Sequence, residues 1–174
     1  HAGRGTYLDC NVAVGRDALK TQTIGVRNIA VGDNAQGALT TGTDNVAIGA
    51  GALDASTTAV ENVAIGTDAL GANTVGDGNV AIGDDAMLLN TTGVNNVAIG
   101  RDSLKTQTIG VRNIAIGDDA QGALTTGTDN IAIGAAASLA VGADGAHSRV
   151  FLYCYRNDPG GTARNFTYTL VSDR

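Results

Sequence analysis

The chain has 174 residues and a mass of 17.4 kDa, and 25 of its residues are Gly, about twice the ordinary share of roughly 7%. Aromatics make up 3%, Trp is absent, and Met and Pro occur once each, which excludes an ordinary enzyme core filled by large side chains. Seventeen acids against eleven bases leave a net charge of −6, and no Lys/Arg run forms the basic patch that nucleic acid requires. An apolar share of 43% argues against disorder. Gly lacks the three-residue period of collagen, and no apolar run approaches the roughly 18 residues of a membrane-spanning helix. What remains is a composition suited to thin, regular β-structure.

Residues 1–10, which hold Tyr7 and Cys10, are expected to form a docking or edge strand centred on Thr6–Asp9. The chain starts at His1, as expected of a processed secreted product or an excised segment.

From Asn11 onward the chain repeats. The pentad Asn–(Val/Ile)–Ala–(Val/Ile)–Gly begins at Asn11, Asn28, Asn45, Asn62, Asn79, Asn96, Asn113 and Asn130, always at the same seventeen-residue interval. Numbering each repeat from its Asn, position three is always Ala, position five is always Gly, and position thirteen is Thr in the first seven repeats. Residues 11–44 recur almost unchanged at 96–129, a duplication that a stack of equivalent coils tolerates.

A constant period without insertions predicts one solenoid coil per repeat, so residues 11–146 form an all-β solenoid, or β-roll, of eight coils. The Val-Ala-Ile triplet is a short strand. Gly at position five turns the chain with a positive φ, and a second short strand or bend is expected at positions seven to nine. Helix is excluded because Gly interrupts each half-repeat before two turns can form. In-register stacking at about 4.8 Å per coil makes a rod of roughly 35–40 Å.

Two columns follow from that stacking. The Asn residues are placed to form an amide ladder along the rod. Calcium binding, the alternative for so many Asn and Asp, needs a Gly-Gly-x-Gly-x-Asp pattern that is absent. The Asp residues at position seven (Asp17, Asp68, Asp85, Asp102, Asp119) are expected to be solvated, their column broken by Asn34 and Gly51.

The strand itself is apolar on both faces. With Ala filling the narrow interior, the stripe that includes Val46, Ile48, Val63, Ile65, Val80, Ile82, Val97 and Ile99 needs a partner surface. Self-association around it, as an intersubunit core, is the predicted solution.

Residues 147–174 break the pattern and hold five of the six aromatics: Phe151, Tyr153, Tyr155, Phe166 and Tyr168. Two strands, 149–156 and 165–172, are predicted around the turn Asp158-Pro159-Gly160-Gly161. Ser138–Gly142 reads as a degenerate repeat before them. The hairpin is either a cap on the last coil or a docking element for another subunit.

Catalysis finds no constellation. His1 and His147 pair with no nucleophile at a motif spacing. Gly49-Ala50-Gly51 and Gly76-Asp77-Gly78 are repeat turns with no helix following. Cys10 and Cys154 are too isolated to build a zinc site. No cofactor or metal is expected. The two cysteines flank the repeats, so a bond within one chain would have to span the rod, whereas a Cα separation below about 7 Å is needed. Head-to-tail stacking would instead bring Cys154 of one copy to Cys10 of the next, with the hairpin receiving an edge strand by β-augmentation.

The N-V-A-I-G-x-x-A repeat resembles the YadA-like head repeats of trimeric autotransporter adhesins. Its 17-residue form, as in Thr91-Thr92-Gly93-Val94-Asn95-Asn96, is similar to repeats of bacterial and phage surface fibres. The likeness covers about four-fifths of the chain. It implies a left-handed roll, a homotrimer with the Val/Ile strands toward the three-fold axis, and an extracellular or cell-surface role without catalysis. No heptad stalk, neck or membrane anchor accompanies the repeats. Three functions are therefore expected in descending order. The first is a self-assembling subunit of a surface filament, and the second is an adhesin head for a host, matrix or cell surface. The third, an ice- or polysaccharide-binding solenoid, is weakened by having only one regular Thr column.

Overall fold

The computed structural model describes residues 10–137, together with strands at 149–154 and 166–167. Among the described residues there is no helix. One short strand falls in each repeat: β1 (Val12–Val14), β2 (Ile29–Val31), β3 (Val46–Ile48), β4 (Val63–Ile65), β5 (Val80–Ile82), β6 (Val97–Ile99), β7 (Ile114–Ile116) and β8 (Asn130–Ile133). These eight pair in chain order and in parallel. Each residue faces its counterpart in the next repeat, as in Val46↔Val63, Ala47↔Ala64 and Ile48↔Ile65. The chain is a β-solenoid.

Two further strands close one end. β9 (Arg149–Cys154) pairs in parallel with β8, with Asn130 opposite Arg149 and Ala132 opposite Phe151. The step into β9 is thus longer by two positions than the constant repeat that separates the earlier strands. β10 (Phe166–Thr167) then runs antiparallel to β9, with Phe166 opposite Cys154 and Thr167 opposite Tyr153. These strands fall within the two expected at the C-terminal end, 149–156 and 165–172; residues 155–165, with the Asp158–Gly161 turn, residues 168–172 and Ser138–Gly142 lie outside the described residues.

Local conformation sets the coil's cross-section. Gly66 and Gly83, at position five, both have φ of 136°, where an L side chain is strained. Contact reinforces that choice: a Cβ on Gly66 would lie 2.5 Å from the carbonyl carbon of Gly83 in the next coil. Positions seven to nine form a turn rather than a second strand. Asp68 and Leu70 have φ of 52° and 53°, and Gly71 N–H and Asn73 N–H donate back to the carbonyls of Asp68 and Leu70 at 2.9 and 3.0 Å. A third left-handed residue sits at position seventeen, for example Glu61 at 59°. Where repeats three and four place Gly in these slots, Gly51 and Gly78, φ is 68° in both.

A left-handed Leu costs about 1–2 kcal/mol. Leu53, Leu70 and Leu104 are nevertheless fully buried, and burying such a side chain is worth about 1.5–3 kcal/mol. Burial wins. These residues, with the Ala columns at positions three and eight, make the core of the rod. Position twelve lies beside them. Each of the first seven coils puts one large apolar and one polar residue at positions nine and twelve, in either order: Leu53 with Ser56, Leu70 with Asn73, Met87 with Asn90, but Gln36 with Leu39. The interior keeps its polarity per coil while the two positions trade places.

Candidate functional site

With Ala47, Ala64, Ala81 and Ala98 fully buried, alternation along each strand turns positions two and four outward. Val46, Val63, Ile65, Val80, Ile82, Val97 and Ile99 are half-buried and Ile48 is 40% exposed. The parallel register stacks them into a continuous apolar face. It extends to Val14, 57% exposed, at the N-terminal end. The stripe thus lies on the outside of the coil, and among the described residues nothing covers it.

Beside the stripe the Asn and Thr columns are hydrogen-bonded along the rod. In the Asn column, Asn62, Asn79, Asn96 and Asn113 are fully buried. Asn79 donates to the Asn62 Oδ1 twice, from its backbone N–H at 2.9 Å and from Nδ2 at 3.2 Å, while the same Nδ2 reaches the Gly93 carbonyl at 2.8 Å. Asn96 repeats this on Asn79 at 3.0 and 3.0 Å, and Asn45 on Asn28 at 3.0 and 3.1 Å. The last rungs run from Asn113 to Asn96 and from Asn130 to Asn113; at the other end Asn28 N–H donates to Asn11 Oδ1 at 2.8 Å. The Thr column is tied in the same direction, Thr40 Oγ1 donating to the Thr57 carbonyl at 2.9 Å and Thr74 to Thr91 at 3.0 Å. Its hydroxyl protons are therefore directed along the rod, not toward a ligand lying across it.

Charges flank the strands. At position six Arg16 reaches Asp33 at 2.9 Å and Arg101 reaches Asp118 at 2.7 Å. At position seventeen Arg27 holds Asp44 through two contacts of 2.5 and 2.6 Å, and Arg112 holds Asp129 through two of 2.6 and 2.8 Å. The guanidinium hydrogen bonds keep the carboxyls of Asp44, Asp118 and Asp129 below the ordinary range. Sequence reading missed these pairs because partners a full repeat apart meet only once the coil is closed.

The Asp column also departs from simple solvation. Lys105 Nζ bridges Asp85 at 2.9 Å and Asp102 at 2.7 Å, neutralising the middle of the run, and hydrogen bonds to those carboxylates raise the Lys105 pKa. Asp54, at position ten beside that column, is disfavoured as an anion: partial burial and the nearby Asp68 carboxylate raise its pKa. Among the described residues no group of three or more His, Cys, Asp or Glu is gathered to hold a metal ion.

At the chain ends, Cys10 is exposed and unbonded just before β1, and Cys154 ends β9. Eight ladder steps lie between those strands, roughly 38 Å at 4.8 Å per step. Phe151 and Tyr153 lie on β9 and Phe166 on β10; Tyr7, Tyr155 and Tyr168 lie outside the described residues. No protein-family model, curated protein or solved structure matches the chain.

Proposed function

We propose that the chain is a non-enzymatic structural subunit of an extracellular or cell-surface filament, assembling with copies of itself. The observation that carries this reading is the outward Val/Ile stripe: an apolar face as long as the rod, on a coil whose own interior is already filled by Ala and Leu. Such a face favours association with a matching surface, and the resemblance to surface-fibre repeats points to a three-fold homo-oligomer. End-to-end growth, with Cys10 of one copy bonded to Cys154 of the next, belongs to the same reading. One observation favours the adhesin-head alternative: the antiparallel β10 interrupts the parallel ladder at one end, as a terminated head would require.

The test is sedimentation of the purified chain beside an Ile65→Asp, Ile82→Asp variant. The expected result is an oligomer at micromolar concentration that the double substitution dissociates. A wild-type chain that sediments as a monomer overturns the reading. Electron microscopy then separates filaments from discrete heads.

A further inference from the structure

The two ends of each strand carry different charges, and their order along the rod is not random. Immediately before the Asn at the start of each strand stands position seventeen of the preceding repeat; immediately after the strand's Gly stands position six. β2 is flanked by Arg27 and Asp33, and β7 by Arg112 and Asp118. All four side chains are largely exposed, between 50% and 61%.

When parallel rods pack their stripes around a common rotation axis, the leading flank of one sheet meets the trailing flank of the next. In register, Arg27 then meets Asp33 of the neighbouring copy and Arg112 meets Asp118, and no level opposes like charges. Each contact would join two pairs already formed within the chains, as Arg16–Asp33 with Arg27–Asp44. A slip of one coil destroys this. In one direction Arg27 faces Arg16, Asp44 faces Asp33, Arg112 faces Arg101 and Asp129 faces Asp118; in the other Glu61 faces Asp84 and no opposite charges meet. A two-coil slip regains pairs such as Arg112 with Asp84 but leaves two coils of stripe uncovered on each rod.

We infer that these flanking charges set the register: the stripe supplies adhesion to a second copy, and between parallel copies the Arg/Asp flanks favour the unslipped alignment. The apolar stripe by itself discriminates only weakly, because a slip of one step restacks nearly the same residues and uncovers a single coil. The inference rests on self-association through the stripe.

Exchanging Arg and Asp within one flank tests it without breaking the pairs inside the chain. The leading swap is Arg27→Asp, Asp44→Arg, Arg112→Asp and Asp129→Arg. The trailing swap is Arg16→Asp, Asp33→Arg, Arg101→Asp and Asp118→Arg. Each swap alone turns the two in-register contacts repulsive and makes all four contacts of the one-coil slip attractive, so it is expected to move the oligomer into that slip. The two swaps combined restore the unslipped register. Swaps that leave the register unchanged in a wild-type oligomer that Ile65→Asp, Ile82→Asp still dissociates would overturn the register proposal alone; a monomeric wild type overturns the underlying reading instead. Bismaleimide cross-linking reports register directly in chains with Cys10→Ala and Cys154→Ala. With native flanks, a chain carrying Glu61→Cys is expected to link to one carrying Thr67→Cys; with either flank swapped, it is expected to link to one carrying Ala50→Cys. With native flanks, linkage to Ala50→Cys, Asp84→Cys or Asp33→Cys instead overturns the proposal, and this arm stands even should a swapped chain fail to fold.

Discussion

Ala59 and Ser56 compensate one another inside the third coil. Position fifteen is Gly in the other six of the first seven repeats, and only there does it become Ala59; in that same repeat position twelve shrinks to Ser56, its smallest occupant. The geometry gives part of the reason. A Cβ on Gly76 would lie closest to the Gly93 carbonyl oxygen of the next coil and then 2.5 Å from Asn73 Oδ1, and one on Gly42 closest to the Ala59 carbonyl oxygen and then 2.6 Å from Leu39 Cδ1; a small position twelve relieves the second contact of each pair. Enlarging Ser56 to Asn should therefore overpack the coil and cost about 1–3 kcal/mol. Adding Ala59→Gly should recover most of the loss. Urea denaturation of the wild type, both single variants and the double variant measures the coupling; independent, additive effects would contradict it.

The Asn ladder predicts a position effect. Asn62→Ala removes the acceptor of two Asn79 donors and the donor to the Gly76 carbonyl, all deep in the rod. Each buried polar group left unpaired costs about 1–3 kcal/mol. At the half-buried end of the ladder, Asn11→Ala removes the acceptor of the Asn28 N–H and the donor to the Gly25 carbonyl. The central substitution should lower the thermal midpoint clearly more than the terminal one. Equal shifts would mean that the ladder is not what holds the column.

Asp54 gives a pH signature. Its carboxyl is raised by burial and by Asp68, so the protonated form is favoured in the fold. Stability linked to this group is present below the unfolded pKa and is lost as pH rises through the folded value. Asp54→Asn should therefore stabilise slightly at pH 7, by less than about 0.5 kcal/mol for a site only partly buried, and the gain should vanish at pH 3. Asp118→Asn has the opposite profile, because Arg101 lowers the Asp118 pKa: it should destabilise at pH 7, and that loss should shrink as pH falls through the lowered folded pKa. Thermal melts across pH 3–7 distinguish the two.

Deleting residues 45–61 removes one whole coil and joins Asp44 to Asn62, preserving every column. The shortened chain should fold and its rod should lose about 4.8 Å. Deleting only 54–61 moves later residues out of register and should abolish the cooperative transition. Circular dichroism and small-angle scattering of the two deletions give the answer.

How much of this was legible before the structure depends on which residues repeat and which break rules. Asn62, Ala64 and Gly66 recur without exception, so strand, ladder and corner could be placed from the period alone. At Asp68–Leu70 the period leaves a short strand and a bend as alternatives; the left-handed Leu that makes it a turn contradicts local preference and is held there by burial within the coil. The exchange between Gln36 and Leu39 and between Leu53 and Ser56 was hidden for a related reason. Column by column each position looks irregular, and the rule appears only when two positions of one coil are compared. The outward stripe was legible because Val, Ala and Ile cannot all face a narrow interior. The charge pairs were not, since Arg27 and Asp44 are unrelated until the chain has gone once around.

The one-repeat register has a kinetic side. Each strand from β2 to β8 rests on the one formed a single repeat earlier, so the stack can grow one coil at a time without closing a long loop. The corresponding relative contact order is roughly 0.1, the range of helical bundles and well below that of most all-β domains. Nascent or unfolded chain can thus add to whichever coil forms first, and the rod should fold faster than a β-sandwich of equal length. The same locality carries a hazard: residues 96–112, nearly identical to 11–27, offer coil two of another molecule a ready substitute for its own first coil.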